Sequence, residues 1–101
     1  MKYLSTRDKS LKKSFNEILF EGLSNDGGLF LPVEWPSIDI DNLHNKSYED
    51  VALEIIFPFV KENFTKNNLE VFLNESYANF RHEQKAPIKK LENNKYILEL
   101  I

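Results

Sequence analysis

Apolar residues recur at helical spacing in three stretches of the chain. Phe15, Ile18, Leu19 and Leu23 fall 3, 4 and 8 residues apart, one face of a helix expected to lie on a core. Ser14-Phe15-Asn16-Glu17 opens it as a capping box: the hydroxyl accepts from the third helical N–H and the carboxylate reaches back to the cap N–H. The two bonds together are worth about 1 kcal/mol. The helix is predicted to end between Gly22 and Asn25. Tyr48, Val51, Ala52, Ile55, Ile56, Phe59 and Val60 keep the same spacing after Ser47-Tyr48-Glu49-Asp50, a second start of capping-box type. Pro58 removes one backbone donor there and crowds the preceding turn, which predicts a kink or a break into two short helices near Phe57. Leu69, Phe72, Leu73, Tyr77 and Phe80 form the third stripe. Asn67 or Asn68 is its expected cap, and Arg81 and His82 its last turn, where positive charge meets the unpaired carbonyls.

Between these stretches the pattern is strand-like and short. Lys2 to Ser5 reads as a short strand. Asp26-Gly27-Gly28 is a turn able to supply positive φ, followed by the apolar run Leu29-Phe30-Leu31, expected to be a buried strand closed by Pro32. Ile88 to Leu91 and Tyr96 to Ile101 flank Asn93-Asn94, a two-residue hairpin turn. The last of these strands is almost wholly apolar and expects cover on both faces. The most linker-like stretches are Pro36 to Ser47 and Glu83 to Pro87. The predicted fold class is α+β: one small domain over residues 1–101, with about three to four helices packed on a few short strands.

Composition narrows the function classes. A chain of 101 residues with 42% hydrophobic content supports one core. No cysteine is present, so disulfides and thiolate metal sites are excluded and a reducing, cytoplasmic setting is the expectation. A net charge of −3 from interspersed acids and bases argues against nucleic acid and against an anionic membrane surface, since both need clustered lysine and arginine. Arg7, Asp8 and Lys9 interrupt the start where a secretory apolar core would lie. The longest apolar run, Val51 to Val60, contains Glu54 and Pro58 and is too short to span a bilayer.

Few residues carry candidate chemistry. Ser5-Thr6-Arg7 follows the first strand; an arginine grips phosphate through a planar bidentate fork and hydroxyls add donors, so the triplet could face a phosphorylated substrate, although on residue chemistry alone a surface turn with an arginine salt bridge is the better reading. Asp26-Gly27-Gly28 exposes backbone amides to anions but is too short for a phosphate loop, and a structural turn is the better reading. His44 and His82 are the only histidines, and neither has a second ligand at metal-site spacing; no metal is expected. Glu17 and Glu21 share a helical face without a nearby base or nucleophile. Lys12-Lys13 and Lys89-Lys90 read as solvated.

The blocks Tyr3 to Arg7, Ser14-Phe15, Glu21-Gly22-Leu23, Asp26 to Leu31 with Pro32, and Leu98-Glu99-Leu100 together resemble the amino-terminal domain of threonine synthase. The resemblance runs over the whole chain, though Ser37 to Gln84 matches only in being helical. Where the family has Ser-Thr-Arg-Gly, this chain has Asp8 in place of the glycine. The resemblance implies a pyridoxal-phosphate (PLP) enzyme of the cytoplasm that converts O-phospho-L-homoserine and water to L-threonine and phosphate. It also implies that this domain packs on the protein's own carboxy-terminal PLP domains and helps wall the cleft of a phosphorylated amino-acid substrate. Ser5, Thr6 and Arg7 are then the substrate-cleft candidates, and Asp26, Gly27 and Gly28 a structural turn. In that family a segment like Tyr96 to Ile101 runs into a His-Gly-Pro-Thr stretch and, soon after, the lysine that binds the cofactor. No catalytic or PLP-binding residue is therefore expected among residues 1–101, which by themselves are expected to be inactive and to bind no PLP. The alternatives are a related phospholyase sharing this domain, and a free-standing protein-interaction module.

Overall fold

The computed structural model describes residues 1–80 and 83–100. The fold is α+β. Strand β1 (Tyr3–Ser5) lies between β2 (Lys12–Lys13) and β3 (Phe30–Pro32), antiparallel to both, with Tyr3 opposite Lys13 on one side and Pro32 on the other. Helix α1 (Phe15–Glu21) follows β2; a 3₁₀ turn (Ile40–Leu43) precedes α2 (Tyr48–Val60) and α3 (Lys66–Ala78). Strands β4 (Ile88–Lys90) and β5 (Tyr96–Leu98) form a separate antiparallel hairpin.

Helix starts follow the capping chemistry. Ser14 accepts from Glu17 N–H and Glu17 accepts from Ser14 N–H, the expected reciprocal box. Ser47 caps α2 by accepting from Asp50 N–H at 3.1 Å. The cap of α3 is Thr65, not Asn67 or Asn68: its hydroxyl accepts from Asn68 N–H, and Asn68 Oδ1 accepts from Thr65 N–H in return. An amide oxygen three residues into the helix thus substitutes for the glutamate of the usual box. Helix α2 runs unbroken through Pro58. The proline sits in the last turn, where only one backbone bond is forgone, and no division near Phe57 occurs. Helix α3 ends at Ala78 with Asn79 as its cap, so Phe80 lies beyond it, and Arg81 and His82 lie outside the described residues.

The core is the α2–α3 seam. Leu53, Val60, Leu69 and Leu73 are buried, with Phe15, Ala52, Ile56, Phe57, Phe59, Phe64 and Tyr77 packed around them. A relay of rings, Tyr3 tilted against Phe15 and then Phe15 to Phe64 to Phe72 edge-to-face, at centroid spacings of 6.2, 6.0 and 5.7 Å, ties β1 to α3. Tyr3 Oη also donates to Phe59 C=O at 2.6 Å, meeting one of the carbonyls that a helix end leaves unpaired. Burial, and then the Glu62 charge, raise the Tyr3 phenol above its ordinary range.

Two expected core faces are open. Leu19 and Leu23 of the α1 stripe remain 56% and 64% exposed, because the helical layer reaches α1 through Phe15. Leu29 and Leu31 are likewise exposed, so the β3 run is not a buried strand. Both faces of the terminal hairpin are exposed as well. Its turn matches expectation: Lys95 N–H donates to Glu92 C=O across Asn93 and Asn94, at φ of 56° and 58°, the type I′ geometry that fits the strand twist. The chain exposes 7857 Å² of surface. A compact monomer of this mass exposes about 5,900 Å².

Candidate functional site

Ser5-Thr6-Arg7 and Asp26-Gly27-Gly28 are far apart in sequence and form one cluster. Pairing of β1 with β3 brings them together, since Thr6 N–H donates to Leu29 C=O at 2.9 Å and Leu29 N–H donates to Thr6 Oγ1 at 3.0 Å. The turn between α1 and β3 is closed by Gly27 N–H donating to Ser24 C=O, and by Gly28 N–H donating to Asp26 Oδ1 at 2.8 Å, an Asx turn.

Ser5 is the centre of the cluster and is fully buried, at 0% exposure. Its Oγ lies 2.8 Å from each carboxylate oxygen of Asp26, to which it donates, and it accepts from Arg7 N–H at 3.2 Å. Its single proton and its accepting side are thus taken up inside the protein. Arg7 lies across the turn and donates from Nη1 to the backbone carbonyl of Asp26 at 3.1 Å, leaving the rest of its fork exposed. Thr6 Oγ1 spends an acceptor position on Leu29 and keeps its proton to donate.

The docking leaves no room for a side chain at Gly28, and the backbone at Gly27 favours glycine by its positive φ. A Cβ on Gly28 would stand 2.4 Å from Ser5 Oγ and 2.9 Å from Thr6 Oγ1. Gly27, at φ +82°, would place a Cβ 2.6 Å from Arg7 Nη1. The Gly28 N–H, then the Ser5 hydroxyl, hold the Asp26 carboxyl below its ordinary range, with smaller help from Ser24 and the Arg7 charge. Ser24 Oγ, buried near the Asp26 carboxylate without a well-aligned hydrogen bond among the described residues, is the member of the cluster that spacing alone does not reveal. Asp8, at the position where the sequence pattern has glycine, turns its carboxylate to Ser10, accepting from Ser10 N–H at 3.0 Å and from its hydroxyl at 2.6 Å.

Other sequence candidates lie elsewhere. Glu17 belongs to the α1 cap and Glu21 pairs with Lys13, which lies in strand β2 and is not simply solvated. His44 ends the 3₁₀ turn, and among the described residues no group of three His, Cys, Asp or Glu side chains is placed to hold a metal. A surface depression of about 340 Å³ lined by Tyr48, Tyr77, Phe80, Lys85, Ala86 and Leu100 carries, among the described residues, one cation, Lys85, which is paired with Glu49 at 3.1 Å.

Fold and cluster together define a small α+β domain that presents a clasped arginine at the end of its first strand. Residues 2–77 match the family model described as threonine synthase N terminus, and the chain belongs to the threonine synthase family. It is 37% identical over 102 residues to threonine synthase of Schizosaccharomyces pombe, covering 97% of this chain and 20% of that protein. It is 33% identical over 104 residues to threonine synthase-like 2 of Xenopus laevis, covering 99% of this chain and 22% of that protein. The crystal structure of PLP-bound threonine synthase from Brucella melitensis superposes with a TM-score of 0.89 at 38% identity, over 99% of this chain and 22% of that one. The chain spans about a fifth of the length of the curated relatives it matches.

Proposed function

We propose that residues 1–101 are the substrate-facing amino-terminal domain of a PLP-dependent threonine synthase of the cytoplasm, which turns O-phospho-L-homoserine and water into L-threonine and phosphate. Family membership supports the enzyme class, and no helix among the described residues is long and apolar enough to cross a membrane. The observation that carries a substrate-facing role is the clasped, outward Arg7, which with the Thr6 hydroxyl offers charge-assisted donors to a phosphate. Ser5 serves the frame of that site and not the ligand, because its hydroxyl is fully used.

The cofactor itself finds no fitting residues here. PLP is carried by a lysine amine in a desolvated pocket. No lysine among the described residues is buried, and the half-buried Lys13 and Lys85 are paired with Glu21 and Glu49. The cofactor lysine then lies in another part of the protein, and the 101 residues are non-catalytic alone. The domain's partners are the protein's own PLP domains: the surface excess, the bare α1 face and the bare hairpin offer them contact. A related phospholyase is the second reading, favoured by the similar identity to threonine synthase-like 2.

The test uses the full-length protein. Arg7→Ala is expected to lower kcat/KM for O-phosphohomoserine by about 1.5 to 3 kcal/mol in transition-state terms, the range for hydrogen bonds to charged groups. Kinetics equal to wild type would show Arg7 to be a surface residue without a role in the cleft.

A further inference from the structure

We propose that Asp26 is the positioning residue of the phosphate site, fixing Arg7 at both ends; the inference rests on the reading of Arg7 given above. An exposed arginine on a loop samples many rotamers, and a ligand that needs one of them must first order it. Here the ordering precedes the ligand. The Asp26 carboxylate orients Ser5, whose Oγ accepts the Arg7 backbone N–H at 3.2 Å, and the Asp26 carbonyl takes Arg7 Nη1 at 3.1 Å. One residue thus fixes where the arginine's main chain starts and where its guanidinium ends.

The division of labour within Asp26 decides what Arg7 can do. The carboxylate, the group that would neutralise a guanidinium in a bidentate pair, is directed at Gly28 N–H and the buried Ser5 hydroxyl, and only a neutral carbonyl touches the fork. Arg7 is therefore held without a direct ion pair, the Asp26 charge acting on it only weakly and from a distance, and keeps its remaining donors for an anion of the phosphate-monoester type. Thr6 Oγ1, pinned by Leu29 N–H one residue away, keeps its hydroxyl proton for the same ligand.

The experiment uses full-length enzyme and compares Asp26→Ala, Asp26→Asn, Arg7→Ala and the double variant Asp26→Ala/Arg7→Ala. Two readouts are taken: steady-state kinetics on O-phosphohomoserine, and calorimetric binding of inorganic phosphate. Asp26→Ala is expected to raise KM and weaken phosphate binding by about tenfold, the size of one hydrogen bond to a charged group, with kcat less affected. Asp26→Asn keeps an oxygen for Gly28 N–H and Ser5 Oγ–H and is expected to restore most of both. The double variant is expected to be no worse than Arg7→Ala, because the two residues act through one contact. Should Asp26→Ala not fold, Ser5→Ala breaks the same link to the Arg7 amide and is expected to show the same split. Independent, additive losses, or wild-type phosphate binding in Asp26→Ala alongside weakened binding in Arg7→Ala, would overturn the positioning role while leaving the Arg7 reading intact. Unchanged phosphate binding in Arg7→Ala would overturn both.

Discussion

Adding one methyl group at Gly28 tests the docking of the two loop segments directly. Its Cβ would stand 2.4 Å from Ser5 Oγ, and a contact that short has to be relieved. Ser5 cannot retreat, since it is fully buried and its strand is held by β3 and, through Tyr3 and Leu4, by β2. Two escapes remain. The turn can shift as a unit, an overpacking strain of about 1 to 3 kcal/mol. Alternatively the Ser5 hydroxyl can rotate away from Asp26, surrendering a hydrogen bond to a charged group worth about 1.5 to 3 kcal/mol at most. The protein takes the cheaper route, so the two costs do not add and Gly28→Ala is expected to destabilise by about 1 to 3 kcal/mol. With a urea slope of about 1 kcal/mol per molar, the unfolding midpoint falls by about 1 to 3 M. Ser5→Ala removes the nearest blocking oxygen, and in that background the Gly28→Ala penalty is expected to shrink, with the 2.9 Å approach to Thr6 Oγ1 accounting for what remains. An equal penalty in both backgrounds, or a midpoint that Gly28→Ala leaves unmoved, refutes the packing argument.

Two further outcomes concern acid and the hairpin. Glu17, Asp26, Glu49, Glu54 and Glu62 all sit below their ordinary values of 4.5 for glutamate and 3.8 for aspartate, held there chiefly by the Ser14 N–H, the Gly28 N–H, the Glu49 N–H, Lys66 and the amino terminus respectively. A depressed folded value means that the unfolded chain binds the proton first; the stabilisation is complete above pH 4.5 and drains away as pH falls through the depressed values. Urea midpoints are expected to be flat from pH 7 to 5 and to be lower by pH 3, and a midpoint at pH 3 equal to that at pH 7 contradicts this. Replacing exposed Leu98 and Leu100 with lysine is expected to reduce self-association of the 101-residue chain in sedimentation while leaving the melting temperature of the helical layer unchanged, because charge blunts an open strand edge. A lowered melting temperature would mean that those leucines are part of the core.

What the sequence discloses here is local. Ser14 with Glu17, Ser47, and the Asn93-Asn94 turn are legible because a cap or a type I′ turn is decided by residues within a few positions of each other. The exposure of Leu19, Leu23, Leu29 and Leu31 is not legible, since periodicity marks a face without naming what covers it. Strand β2 escapes for a related reason: two lysines have no strand signature, and only their pairing with Tyr3 and Leu4 makes them one. Thr65 is hidden by two asparagines with the same capping chemistry. The candidate site is half legible. Ser5, Thr6, Arg7, Asp26, Gly27 and Gly28 stand out as two motifs, yet their union depends on a strand pairing that no short-range pattern encodes.

The hairpin carries one more consequence, for cooperativity. Strands β4 and β5 pair chiefly with each other, and a two-stranded unit with both faces wet is marginal in water. In the 101-residue chain it therefore opens as its own unit, ahead of the α2–α3 seam. The single tryptophan, Trp35, stacks edge-on against Phe59 at 6.2 Å and so registers only the later event. Amide exchange at Leu91 and Glu99, whose N–H groups close the hairpin onto Lys95 and Pro87, registers the earlier one. Denaturation followed by fluorescence then reports a stability that the carboxy-terminal strands do not share.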